Sequence, residues 1–163
     1  MLNERLEEKS IVEEIKDKNM ETKKLNLIPN KSIGIFVLGD DIQEYLYLPH
    51  KITRHEEYEP SYDSYDFYES NVVLWVEEGK INTIRCTVDC YWEGYNLIKM
   101  PFEEFILKYE ITPNKSESIY TLVGDNRGQN QMVYDFDDLG LIIWVWRKKI
   151  VTILSYNSMQ EEK

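Results

Sequence analysis

The stretch that decides the fold occurs twice in the chain, as YDFYESNVVLWVEEGKINTI from Tyr65 to Ile84 and as YDFDDLGLIIWVWRKKIVTI from Tyr134 to Ile153. The two copies align without a gap at a shift of 69 positions, and nine of the 20 aligned residues are identical. The identical pairs are Tyr65/Tyr134, Asp66/Asp135, Phe67/Phe136, Trp75/Trp144, Val76/Val145, Lys80/Lys149, Ile81/Ile150, Thr83/Thr152 and Ile84/Ile153. Agreement of this density indicates an internal repeat of one supersecondary unit.

A second alignment extends the repeat toward the N-terminus. At a shift of 60 positions, GDDIQEYL (39–46) lies over KMPFEEFI (99–106). In the first copy, Ile42, Tyr45 and Leu46 have the i, i+3, i+4 spacing of one helix face, and the aromatic residues of the second copy continue the same stripe. The pattern predicts a short helix ahead of each repeated segment.

The repeated segments alternate in hydrophobicity as strands do. Their alternation divides each copy into two faces, with Val72, Leu74, Val76, Leu141, Ile143 and Val145 on one and Val73, Trp75, Glu77, Ile142, Trp144 and Trp146 on the other. Glu78-Gly79 supplies a turn between two strands. The predicted fold class is therefore α+β, with two helix–β-hairpin repeats forming one antiparallel sheet and helices packed on its aliphatic face.

The domain organisation follows from a change of composition near Lys31. Residues 1–29 are rich in Glu, Lys and Asn, which predicts a charged N-terminal helix or linker. Residues 30–163 form a single α+β domain in this interpretation, with repeat one at about 31–92 and repeat two at about 93–157. The longest apolar run, Leu139–Trp146, is far shorter than a membrane span. The charged start MLNERLEEKS does not resemble a secretory signal, so we expect a cytoplasmic protein.

The charge balance restricts the partners. Thirty Asp and Glu residues against 19 Lys and Arg give a formal net charge of -11. Such a field repels nucleic-acid phosphates and anionic lipid. We therefore expect no nucleic-acid or membrane partner, and a basic protein is the natural counterpart.

No catalytic or metal site is predicted. His55-Glu56-Glu57 followed by Cys86 and Cys90 approaches the zinc-deaminase pattern, but the cysteine spacing is one residue too long and no proline precedes Cys86. On one strand the two cysteines would lie about 13 Å apart, too far to bridge. Neither a nucleophile elbow nor an acid–base pair is legible. We expect no enzyme activity and no cofactor.

The most unusual segment is HEEYEPSYDSYDFYE (55–69), which carries six carboxylates and four tyrosines after its histidine and has no Lys or Arg. Tyrosine offers large, fairly rigid contact area, and acidic groups complement a basic partner. The candidate contact residues are Glu56, Glu57, Tyr58, Glu59, Tyr62 and Asp63. The alternative is a solvated acidic loop whose tyrosines fold back on the sheet.

The tryptophan face offers a second candidate surface. Trp75, Trp144 and Trp146 share it with Glu77, and tryptophan is enriched at binding hot spots. The same residues could instead be covered by residues 1–29 or by a second copy of the chain, since large open apolar patches are rare on monomers.

Three segments carry a resemblance. The opening KSIGIFVLGDDIQEYL (31–46) resembles the start of tandem-repeat proteins of the β-lactamase inhibitory protein and outer-membrane assembly lipoprotein type. EGKINTI (78–84) and YWEGYNLIKMPFEEFI (91–106) resemble segments of small acidic bacterial immunity proteins. The resemblance implies a sheet that binds another protein, and hence a non-catalytic immunity protein that occludes the active-site cleft of a cognate toxin. A basic nuclease would suit as that toxin. The alternative is a small-molecule or envelope-assembly binding module that uses the open sheet face.

Overall fold

The structure is a computed structural model that describes residues 24–158, and strands dominate it. The strands are β1 (Leu27–Ile28), β2 (Ser32–Ile33), β3 (Phe36–Val37), β4 (Lys51–His55), β5 (Tyr62–Phe67), β6 (Val72–Glu77), β7 (Lys80–Cys86), β8 (Tyr91–Trp92), β9 (Tyr95–Asn96), β10 (Lys115–Leu122), β11 (Gly128–Phe136), β12 (Leu141–Trp146) and β13 (Lys149–Tyr156). One α-helix, α1 (Phe102–Tyr109), and two 3-10 turns, Ile42–Tyr45 and Asp137–Leu139, complete the described part.

An antiparallel sheet of eight strands, in the order β10-β11-β12-β13-β7-β6-β5-β4, forms the body of the molecule. It consists of a first half (β4–β7) and a second half (β10–β13), joined by pairing of β7 with β13. Strands β5–β7 and β11–β13 have equivalent registers at the shift of 69. The outer strands β4 and β10 correspond at a different shift, because Lys51 pairs with Asp66 and Lys115 pairs with Asp135. Even the β-bulge recurs, between Trp75 and Val76 in the first half and between Trp144 and Val145 in the second.

The predicted α+β class, with two helix–β-hairpin repeats and helices packed on one face, was wrong. The chain is mostly β, with 50% strand and 12% helix. Each half contributes four strands rather than a hairpin. The first predicted helix is only the 3-10 turn Ile42–Tyr45, because Pro49 follows closely and a residue before proline disfavours the helical region.

The core lies between the aliphatic face of the sheet and a layer of short elements. Val72, Leu74 and Val76 alternate with half-buried neighbours along β6, as the sequence pattern predicts. Opposite them lie the β1–β3 ribbon, the first 3-10 turn, the β8–β9 ribbon and α1, whose most buried side chains include Ile33, Phe36, Ile42, Leu97 and Phe105. Short irregular elements, not a helical layer, therefore close the core.

The covering layer follows the repeat as well. The Gly39 N–H donates to the Ile81 carbonyl at 2.8 Å, and the equivalent Lys99 N–H donates to the Ile150 carbonyl at 2.7 Å. Tyr45 and Phe105, which are equivalent at the shift of 60, are both buried. The duplication thus includes both the sheet and the segments that anchor to it.

The chain before residue 30 belongs partly to this core. Of the predicted N-terminal helix or linker over 1–29, residues 1–23 lie outside the described residues. Leu25 and Leu27 are buried, and β1 pairs with β2. Among residues 24–158, no helix combines the length and the apolar character needed to cross a membrane.

The expectation that both cysteines lie on one strand was wrong. Strand β7 ends at Cys86, and the chain then turns so that Cys90 comes back beside it. A hydrogen bond with Cys86 and burial raise the pKa of the Cys90 thiol well above its ordinary value. Both thiols are fully buried and free, so they contribute to the core as small apolar groups.

Candidate functional site

The face of the sheet opposite the core, here called the open face, is crossed by one row of directly paired residues. The row runs Lys115, Asp135, Ile142, Leu154, Arg85, Val73, Asp66, Lys51. Directly opposed residues project to the same side of an antiparallel sheet, so all eight side chains share this face. Read from either end, the row begins with Lys and Asp and continues with an aliphatic residue, Ile142 or Val73. At its centre, Leu154 of the second half faces Arg85 of the first.

A cleft of about 790 Å³ occupies the open face over the second half and the sheet centre. Its charged and aromatic lining residues are Trp75, Lys115, Asp135, Asp137, Asp138 and Tyr156. A related depression of about 290 Å³ lies on the first half, lined in part by Asp66, Val73 and Arg85. These three residues are the repeat equivalents of cleft residues, so the duplicated sheet carries a large and a small version of one concavity.

Strand β11 and the 3-10 turn after it bring carboxylates together in the cleft. Asp135 lies near the end of β11, and Asp137 begins the turn. Tyr156 is the last residue of β13, which lies two strands away from β11 in the sheet. The Tyr156 hydroxyl donates to Asp135 Oδ1 at 2.8 Å and reaches Asp137 Oδ1 at 3.3 Å. Two carboxylates therefore share a single hydroxyl donor.

The electrostatics of this group follow from partial burial. Burial raises the pKa of Asp135, the hydrogen bond from Tyr156 opposes that rise, and the charge of Asp137 adds to it. Burial and the adjacent carboxylates also raise the pKa of Tyr156, so its hydroxyl keeps its proton at neutral pH. Lys115 is the cation that acts on Asp135. The cleft is an electronegative site with more acceptors than donors.

The donor set does not fit a metal centre. Within residues 24–158, no three His, Cys, Asp or Glu side chains are grouped so that they could hold a metal ion. What the group can accept is an organic cation. A lysine ammonium or arginine guanidinium would supply the missing donors in charge-assisted hydrogen bonds, which are the stronger kind.

Four aromatic rings form a chain from the β4–β5 loop to the rim of this cleft. This aromatic ladder consists of Tyr58, His55, Tyr62 and Trp75. The His55 ring stacks on Tyr62 with centroids 4.4 Å apart, Tyr58 lies 5.6 Å from Tyr62, and Tyr62 lies 6.0 Å from Trp75. His55 Nε2 is also 2.9 Å from the hydroxyl of Ser64. The ladder connects the predicted contact segment with the cleft.

The structure places the acidic residues predicted in that segment in two different locations. Glu56, Glu57 and Glu59 lie in the exposed loop between β4 and β5. Asp63 alternates to the core side of β5, where Arg54 Nη1 is 3.5 Å from its carboxylate. Only the loop carboxylates are placed beside the aromatic ladder, at one end of the open face.

The remaining predicted residues are also separated. Trp75 lines the cleft, and Glu77 is half-buried at the end of β6. Trp144 and Trp146 lie on β12, three strands away from β6, or about 14 Å at ordinary strand spacing. The Arg147 guanidinium covers the Trp146 ring at 4.3 Å. The tryptophans therefore do not form one continuous platform.

Sequence reasoning missed the acidic centre of the cleft. Asp135 stands out in the sequence only as the repeat match to Asp66, and neither Asp137 nor Asp138 is among the predicted contact residues. The available signal was the run YDFDD (134–138), which places three carboxylates next to a strand end. Tyr156 had no sequence signal, because only the register of β13 brings it to Asp135.

Comparison of the chain with protein-family models, with curated proteins and with solved structures gave no match. The functional proposal below therefore stands on the cleft, the ladder and the charge of the chain.

Proposed function

We propose that this protein is a non-catalytic immunity protein that binds a cognate bacterial toxin and occludes its active-site cleft. The observation that carries the proposal is the acidic cleft on the open face, where Asp135 and Asp137 share the single donor Tyr156. A basic side chain of the toxin would enter this cleft. The proposal places the protein in the cytoplasm of the producing cell and gives it no catalytic step, cofactor, nucleic-acid partner or membrane partner.

A basic nuclease is the kind of toxin that fits this chemistry. Enzymes that hold phosphate backbones use Lys and Arg to neutralise phosphates. A protein of net charge -11 with a carboxylate-lined cleft presents a comparable distribution of negative charge. Complementary fields also speed the encounter of the two proteins.

The aromatic ladder would provide the less polar part of the contact. Tyr58 is more than half exposed, whereas Tyr62 and Trp75 are partly buried below it. Tyr and Trp are over-represented among residues that dominate binding energy. Glu56, Glu57 and Glu59 surround the outer end of the ladder, where rim charges act mainly on the association rate.

The cleft volume also favours a second candidate function, binding of a small molecule. About 790 Å³ lies within the usual range of ligand sites, roughly 300–1,000 Å³. Ligand sites are, however, lined predominantly by apolar and aromatic side chains. Only four of the twelve residues that line this cleft are of that kind, namely Trp75, Ile142, Leu154 and Tyr156. The polar lining supports the protein partner as the first candidate.

The test is an association measurement with the toxin domain encoded immediately upstream. The cleft variant combines Asp135→Asn, Asp137→Asn and Asp138→Asn. The control variant combines Glu103→Gln, Glu104→Gln and Glu110→Gln, which are exposed on α1 or just after it, on the core side of the sheet. Both triples remove three negative charges, so any effect of net charge alone is equal in the two.

We expect the cleft triple to weaken the complex at least tenfold, about 1.4 kcal/mol, while the control triple changes only the association rate and by less. Equal effects of the two triple variants would show that binding depends on net charge alone and that the cleft is not the contact site. Binding of a metabolite-sized ligand that is lost in the cleft triple, together with no binding of the toxin domain, would instead establish the second candidate.

A further inference from the structure

The two edges of the eight-stranded sheet differ in how they are protected. Among the described residues, β4 and β10 each pair on one side only. Strand β4 carries Lys51 and Arg54, both exposed, and charges on an edge strand oppose pairing with another chain. Strand β10 carries Lys115 and Glu117 at its N-terminal end, but the segment SIYTLV (118–123), which ends one residue after the strand, has no charge. An uncharged segment at a sheet edge is an open template for another strand.

Large apolar side chains are exposed along the same edge. Tyr120 is 65% exposed, Leu122 is 71% exposed and Val123 is 38% exposed. Gly128, directly across from Leu122, leaves the space that the Tyr120 ring occupies, since a Cβ there would collide with the ring. The duplicated sheet therefore presents apolar surface where it ends.

The backbone of β10 is ready for a further strand. The Val123 N–H donates to the Arg127 carbonyl at 2.7 Å, so Val123 and Arg127 are a hydrogen-bonded pair. Because hydrogen-bonded and non-hydrogen-bonded pairs alternate along antiparallel strands, the odd-numbered residues of β10 direct their N–H and C=O groups toward β11. The N–H and C=O groups of Ser116, Ser118, Tyr120 and Leu122 consequently point to the free edge.

We propose that the strand β10 of a second copy of this chain occupies the edge, antiparallel across a two-fold axis at Ile119. In this register Ile119 faces its own copy, Ser118 faces Tyr120 and Ser116 faces Leu122. Tyr120 and Leu122 each meet a small serine, and Glu117 faces Thr121, so no like charges oppose each other. Such self-complementarity is what an isologous interface requires.

Registers shifted toward the N-terminal end of β10 are less favourable. An axis at Ser118 sets Ile119 against Glu117, and an axis at Glu117 sets two carboxylates face to face, which destabilises a strand pair. The fold already uses the same arrangement internally, since β7 and β13 are equivalent strands that pair antiparallel at the sheet centre. The dimer would repeat that junction with true symmetry.

Sedimentation equilibrium of the full chain tests the dimer. We expect a concentration-dependent dimer that Ile119→Lys weakens at least tenfold, because two lysines would face each other across the axis. Ile52→Lys makes the same change on the other edge, at a residue that is also partly exposed, and should leave the dimer intact. A wild-type chain that stays monomeric, or a dimer that Ile52→Lys removes and Ile119→Lys does not, would overturn the proposal.

A disulfide test fixes the register and does not depend on how well the lysine variant folds. Opposed residues of a non-hydrogen-bonded pair have Cα atoms about 4.5 Å apart, within disulfide range. Ile119→Cys should therefore oxidise to a covalent dimer, whereas Thr121→Cys, which faces Glu117, should not. The native Cys86 and Cys90 are buried and do not interfere. Equal cross-linking of both variants would contradict the register.

The salt dependence separates this dimer from toxin binding. Two copies of charge -11 repel, so added salt should tighten the dimer. Added salt should weaken association with a basic toxin. The two interactions can therefore be measured separately, so the dimer and toxin binding can each fail without the other.

Discussion

The inner strands of the two halves, β5–β7 and β11–β13, pair in the same way and carry different surfaces. The pairs Tyr65 with Leu74 and Tyr134 with Ile143 occupy equivalent positions, and the bulge after Trp75 recurs after Trp144. On the open face the halves diverge. In the row of paired residues across the open face, the first half has Arg85 at the sheet centre, whereas the second half has Leu154 in place of that cation.

This difference shows which residues the repeat constrains. Side chains on the core face must fill the same space in both halves, so they stay apolar and of similar size. Open-face side chains contact solvent and can change independently. The second half thereby acquired Asp137 and Tyr156, where the first half has Tyr68 and Thr87, and it is the half with the larger cleft.

The largest expected effect comes from the core residues that the halves share. Phe67 and Phe136 are equivalent and buried. Phe67→Ala and Phe136→Ala should each lower the free energy of unfolding by about 3–5 kcal/mol, through lost burial and the cavity left behind. Urea unfolding followed by tryptophan fluorescence and by circular dichroism measures this. Because β7 pairs with β13, both variants should unfold in one transition, and two separated transitions would show that the halves fold independently.

A smaller effect is expected at the turns that close the two equivalent hairpins. Glu78 and Gly79 have φ of 51° and 77°, and Arg147 and Lys148 have φ of 49° and 66°, so both turns use the left-handed region. Lys148→Gly should stabilise the fold by about 0.5–1 kcal/mol, and Gly79→Lys should destabilise it by a similar amount. Nothing lies within 4 Å of a Cβ at Gly79, so conformation alone decides the outcome. Thermal unfolding should show a higher Tm than the wild type for Lys148→Gly and a lower Tm for Gly79→Lys.

The smallest effect concerns pH and is confined to the second half. Burial raises the pKa of Asp135, so the folded state favours its protonated form. That contribution to stability is fully present below the ordinary aspartate pKa, about 3.9, and is lost as the pH rises through the raised value. Asp135→Asn should therefore be more stable than the wild type at pH 7, with the difference shrinking toward pH 4. Urea midpoints at the two pH values measure it, and a variant less stable than the wild type at pH 7 would contradict the assignment.

The parts of the fold that the sequence predicts are those with one buried face. Strand β6 alternates between apolar and mixed residues, and its burial follows that alternation. Strand β4 has four exposed residues out of five, and β10 has six out of eight, so neither has a period that sequence can detect. The helix stripe at Ile42 and Tyr45 was misleading, because a buried 3-10 turn has a similar spacing over one turn.

The candidate site was less accessible to sequence reasoning than the fold. The loop residues Tyr58 and Tyr62 stand out by composition, but their stacking with His55 and Trp75 depends on the register of β4, β5 and β6. The cleft depends on the pairing of β7 with β13, which joins residues 67 to 73 positions apart in the chain, from Cys86 with Ile153 to Thr83 with Tyr156. Long-range register is the information that local patterns lack.

The most direct test of the proposed function compares one substitution at equivalent positions of the two halves. Asp135→Asn and Asp66→Asn make the same chemical change on the same backbone, and calorimetric titration with the toxin domain encoded upstream measures the affinity of each. We expect Asp135→Asn to weaken binding about tenfold, or about 1.4 kcal/mol, and Asp66→Asn to change it much less. Equal losses, a larger loss for Asp66→Asn, or no binding by the wild-type protein would contradict this expectation.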